Sequence, residues 1–255
     1  LSRGLVDVYK RQVYDVRFYR PVSLSNSLKI MDRYFLNPMV RPRFNLERIE
    51  KSLRDVQKQL PSLNQKMKLP REHMDDEVVE NLISGYALVG QLLASNIELL
   101  ALGTSGYLLE LNARVLCGAG EQKRREYREH IQATNRHFYE RTDAGIHALM
   151  EWYELHRHQS MWHRAAGLYI NILSTPQLFI EGNDRTGTLL MSYILAKEGK
   201  EPFVLTTANA KAYFEFSALV KTLPANSLAN VFRLPILKNR IANFLKNQSD
   251  TSGGY

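Results

Sequence analysis

Between residues 45 and 61 the apolar side chains Leu46, Ile49, Leu53, Val56 and Leu60 recur at alternating intervals of three and four. That period puts all five on one face of an α-helix, because a helix turns once every 3.6 residues. Asn45 is the expected N-cap, and Pro61 is the expected end. A regular seam of this kind either pairs with a second copy of the chain as a homodimer or packs within the chain, and internal packing is the expectation.

The same period governs most of the chain beyond Pro61. Val78, Val79, Leu82, Ile83 and Tyr86, continued by Leu92, Leu93, Ile97 and Leu100, predict one long helix or two stacked ones, ending at Gly103 to Gly106. Leu108, Leu109, Leu111 and Leu116 predict another, and residues 118–125 read as a loop. Residues 127–138, YREHIQATNRHF, have weak periodicity and are expected to form a small β-hairpin flap or an irregular one. Helices are expected again around Ile146 to Tyr153 and Ala165 to Leu173, where Pro176 stops the second. Leu189, Leu190, Tyr193 and Ile194 line a further helix that Gly199 terminates. Two more are expected at about 206–221 and 226–247, with Pro235 kinking or dividing the last. The fold class is therefore all-α, with the hairpin as its one exception.

Hydrophobic residues make up 44% of the 255 and charged residues 24%, a balance that supports a buried core and argues against disorder. The longest charge-free stretch, between Glu80 and Glu98, contains Asn81, Ser84, Gln91, Ser95 and Asn96, too short and polar for a bilayer. The single cysteine, Cys117, excludes an internal disulfide, and no segment resembles a secretory signal, so a cytoplasmic protein is expected. The chain starts at Leu1, and residues 1–12, with their VDVYKRQ run, are expected to be foreign to the fold. The net charge of +8 is spread along the chain, so solvated helix faces are expected rather than a nucleic-acid surface.

The segment with chemistry in it is QLFIEGNDRTG, residues 177–187. Gly182 permits close backbone approach, Asn183 is expected to cap the helix that comes next, and that helix turns its first amides and positive dipole end outward. Arg185 adds a planar guanidinium suited to phosphate oxygens. By spacing alone, an ordinary turn into a helix is the expected reading.

Residues 176–188, PQLFIEGNDRTGT, resemble the Fic family signature, close to HPFxxGNGRTGR. YREHI, RAAGLYINIL and LLMSYILAKEGKEPF resemble the segments flanking it in that family, so the likeness covers roughly 75–221. It implies a Fic-type helical bundle at 75–221, an N-terminal helical region at 13–74 and a C-terminal helical extension at 222–255. It further implies Phe179 as a buried anchor, Glu181 as the metal-associated acid, and Gly182, Asn183, Arg185, Thr186 and Gly187 around the phosphates of ATP bound with Mg2+. The family's histidine deprotonates a hydroxyl on a target protein, which then attacks the α-phosphate to receive AMP.

Three departures stand out. Gln177 holds the histidine position, and a carboxamide orients a hydroxyl but cannot take its proton. Asp184 replaces a glycine and brings negative charge toward the phosphates unless it faces solvent or a metal. Thr188 stands where many members carry a second arginine. Glu110 is the nearest candidate for an inhibitory glutamate, but its offset from Thr104 and Ser105 is wrong. Outside this motif, His156, His158 and His163 lack a carboxylate or cysteine at ligand spacing, although one of them is a candidate surrogate base. His130 and His137 are expected at the surface or in packing, and Trp152, Tyr153, Trp162, Tyr169 and Cys117 in the core. Three functions stand as alternatives: AMP transfer to an unidentified target protein, a non-catalytic nucleotide- or partner-binding module, and a helical scaffold.

Overall fold

The computed structural model describes residues 44–101, 103–141, 145–223 and 230–251. The expectations for residues 1–12 and for the start of the last helix at 226 lie outside them. Ten helices account for the described secondary structure, and no extended strand occurs among the described residues. They are α1 (Leu46–Gln65), α2 (Asp76–Ala94), α3 (Gly106–Cys117), α4 (Glu121–Glu126), α5 (Arg128–Glu140), α6 (Ile146–Leu155), α7 (Met161–Leu173), α8 (Asn183–Lys197), α9 (Ala210–Lys221) and α10 (Asn230–Thr251).

Four residues of the seam read from α1, Ile49, Leu53, Val56 and Leu60, are buried, the fifth, Leu46, is half-buried, and the helix packs on α2. Asn45 caps it by accepting from the Arg48 amide at 3.1 Å. Pro61 does not end the helix, which runs on to Gln65. The extra turn is held in place because the Asn64 side chain exchanges two hydrogen bonds with the backbone of Arg71, at 2.9 and 2.8 Å. Helix α2 stops at Ala94, well before Gly103, where Asn96 turns into the left-handed region at φ 51. Helix α10 passes through Pro235 undivided, and its Leu237, Ile241, Ala242 and Leu245 are buried where it packs on α7.

Helix α8 is the most enclosed helix among the described residues. Every residue from Thr186 to Ala196 is buried, so the one-sided stripe read from its leucines understates it. A helix enclosed on all sides must lack charge around its whole circumference, and the run 186–196, TGTLLMSYILA, does. It packs on α2, α3 and α7. Glycines allow close approach on two sides, since a Cβ on Gly187 would come 2.8 Å from the Tyr169 ring of α7 and one on Gly85 of α2 would come 2.3 Å from Leu189.

Two expectations are corrected between α3 and α6. The loop read at 118–125 contains α4, and the hairpin flap read at 127–138 is instead helix α5. Helix α5 buries only Thr134 and Phe138, one turn apart, which is why its period is weak. No described helix is long and apolar enough to cross a membrane.

Candidate functional site

The segment between α7 and α8 is fixed by burial at its middle and hydrogen bonds at its end. Leu178 and Phe179 are buried, and the Phe179 ring stacks on Phe138 of α5 with centroids 5.4 Å apart and an interplanar angle of 9°. Phe179 is thus the anchor expected for it. Asn183 does not cap α8; it is the first helical residue, and the capping position belongs to Gly182 at φ 74. The Asn183 side chain turns back instead. Its Oδ1 accepts from the Phe179 amide at 2.9 Å, while its Nδ2 donates to the Phe179 carbonyl at 2.8 Å and to Gln177 Oε1 at 3.0 Å.

Asn112 of α3 locks the other side, donating to the Glu181 carbonyl at 2.8 Å and to Thr186 Oγ1 at 3.1 Å. Nothing in its sequence setting marks Asn112. A Cβ on Gly182 would lie 2.9 Å from its Nδ2. Gly182→Ala therefore combines a left-handed backbone with a steric conflict, and should cost about 1–2 kcal/mol. A chemical-denaturation midpoint that does not move would refute this.

Of the residues the motif nominated, Gly182, Asn183 and Arg185 gather at the start of α8. Thr186 and Gly187 are interior: the Thr186 hydroxyl is spent on Asn112, and Gly187 backs onto Tyr169. Gln177 is committed at both ends of its amide, accepting from Asn183 and donating to the Leu173 carbonyl at 3.3 Å. Glu181 is exposed, with its carboxylate 3.9 Å from His130 Nε2.

Arg185 differs from five other partly buried arginines. Arg54, Arg71, Arg114, Arg124 and Arg164 each meet a carboxylate. Arg185 donates to the Val115 carbonyl at 2.6 Å and has no carboxylate within ion-pairing distance among the described residues. Burial lowers its pKa from the ordinary arginine value, only partly offset by the charges of Glu181 and Glu72. Glu110 does not compensate it, being held by Arg114 Nε at 2.8 Å and by Arg124 at 2.9 and 2.6 Å.

Asp184 sits in a cage made by the protein, an arrangement that the two alternatives read from the sequence, solvent or a metal, do not include. Arg71, Ser217 (2.5 Å) and Lys221 (3.0 Å) meet its Oδ2, and the Tyr169 and Tyr213 hydroxyls each lie 2.8 Å from Oδ1. Burial alone would raise its pKa, but the charges of Arg71 and Lys221 and the Ser217 hydrogen bond hold it well below the usual carboxylate range. Burial, then the adjacent charge, raises both phenols, so they stay protonated donors. Such a carboxylate is a permanent anion, not a general base. Thr188 completes the shell, donating to the Asp184 carbonyl at 3.0 Å and lying 2.7 Å from the Tyr213 hydroxyl, in a buried space that an arginine would overfill.

Helix α5 presents one face to the loop. His137 Nε2 lies 3.1 Å from the Gln177 carbonyl, and Arg141 donates to the same oxygen at 3.3 Å. His130 Nε2 and Thr134 Oγ1, on that face, are buried without a hydrogen-bond partner among the described residues. His137 thus belongs to the loop's support, a role its sequence context does not signal.

The His156, His158 and His163 group brings no base to Gln177. His156 stacks on Trp152 and bonds its carbonyl, and His163 bridges Ser160 and Asn239. No group of three metal-ligating side chains occurs among the described residues. Of the expected core residues, Tyr169 and Cys117 are buried, while Trp152, Tyr153 and Trp162 are only half-buried. Comparison with family models, with curated proteins and with solved structures finds no match to this chain.

Proposed function

We propose that the chain is a catalytically silent Fic-like module that binds a phosphate-bearing ligand, ATP in the first instance, at the first turn of α8 without transferring AMP. Arg185 carries this reading. It is a half-buried guanidinium in the first turn of a helix, with no carboxylate within ion-pairing distance among the described residues and only the more distant charges of Glu181 and Glu72 to offset it, and an anionic ligand would supply the close partner. The silence follows from Gln177, whose amide has no basic nitrogen and is already bonded at both ends. General-base assistance is worth about 10²–10⁴-fold, and nothing on that side chain replaces it.

The residues present fit Mg2+ only as a partner of the nucleotide: the exposed Glu181 carboxylate would give one oxygen, and phosphates and water the rest. When bound, the metal would neutralise phosphate charge. A cytoplasmic setting and an unidentified protein partner accompany this reading. The transferase reading retains one observation, the His137 imidazole beside the Gln177 backbone.

Calorimetry with ATP, CTP, GTP and CDP-choline tests the proposal. At least one should bind, and Arg185→Ala should weaken it about tenfold or more, the loss of one charge-assisted hydrogen-bond pair. Labelled nucleotide should not pass to protein, and Gln177→His should restore some transfer. The module reading fails if none of the four binds, and transfer by the natural chain would establish the enzyme instead.

A further inference from the structure

The cage around Asp184 is a better match for a different anion. A carboxylate offers about four lone-pair directions on two oxygens. Here five donors converge on it, three on Oδ2 and two on Oδ1. Two fixed cations, Arg71 and Lys221, also face a single negative charge. A tetrahedral dianion resolves both mismatches, since it spreads more acceptor positions over four oxygens and carries the second charge. One guanidinium, one ammonium and three hydroxyls are the donors such an ion takes. The cage is not sealed: the side chains of Lys221 and Arg71 remain 37% and 20% exposed.

We propose that this cage is a binding site for a small tetrahedral oxyanion, inorganic phosphate or sulfate, held shut by the chain's own Asp184. The carboxylate is tethered to the first turn of α8 and competes with free anion at the high effective concentration of an intramolecular group. The contact is autoinhibitory. It is also separate from Arg185, whose guanidinium runs to Val115 on α3, so the two readings fail independently.

The test removes the tethered anion. In Asp184→Ala, and in Asp184→Gly with its larger void, phosphate measured by calorimetry should bind at least about tenfold more tightly than in the natural chain. Phosphate or sulfate should also raise the thermal midpoint of these variants more than chloride does at equal ionic strength. If either variant is unfolded in chloride, refolding in phosphate but not in chloride is the same positive result. Lys221→Ala added to Asp184→Ala should abolish the gain. The proposal is overturned if neither variant responds to phosphate more than the natural chain does, or if the double variant responds as strongly as Asp184→Ala.

Discussion

Asp184→Asn is expected to lower the unfolding free energy by about 3–5 kcal/mol in urea denaturation at pH 7, the usual cost of breaking a buried ion pair from one side. The substitution keeps the shape but leaves the Arg71 and Lys221 charges facing a neutral amide, and turns an amide hydrogen toward donors that need an acceptor. Acid should reproduce the effect in the natural chain. The folded-state pKa of Asp184 lies below its unfolded value, so the unfolded chain binds the proton first as pH falls. The stability from this group is complete above about pH 4, near the unfolded carboxylate pKa, and is lost progressively as pH drops toward the folded value. The natural chain should therefore lose stability between about pH 4 and pH 2 more steeply than Asp184→Asn. Parallel pH profiles for the two proteins would rule this out.

The helices are legible in the sequence where a single face is buried. The α1 seam can be read directly, because Ile49, Leu53, Val56 and Leu60 share one face and most of the rest of the helix is polar. The start of α8 is legible as a motif, since glycine, asparagine and arginine at that spacing have local reasons to be there. Failures come where long-range contacts decide. Asp184 looks like an obstacle to phosphate because its partners cannot be seen nearby: Arg71 is 113 positions away. Helix α5 is hidden because only Thr134 and Phe138 are buried, too few to show a period, and because Phe138 packs on Phe179, a partner far along the chain. Asn183 reads as a cap, its most frequent use, yet its side chain serves the loop behind it; only the positions of Gln177 and Phe179 distinguish the two.

Asn183→Ala should be about as damaging as the loss of the Asp184 charge, by a different route. The side chain is buried and satisfies both backbone groups of Phe179 as well as the Gln177 amide oxygen. Alanine leaves the Phe179 amide and carbonyl without partners in a buried setting, at about 1–3 kcal/mol each, for a total near 4 kcal/mol. A simple helix-cap loss would cost about 1 kcal/mol, so the magnitude discriminates between the two roles. Asn183→Asp sharpens the test: it keeps the acceptor for the Phe179 amide, but sets a carboxylate oxygen against the Phe179 carbonyl and Gln177 Oε1. A capping residue tolerates aspartate, which also suits the helix dipole. A loop brace does not, so Asn183→Asp should unfold nearly as readily as Asn183→Ala. Near-natural stability in the aspartate variant would return Asn183 to the capping role and remove the loop's main support.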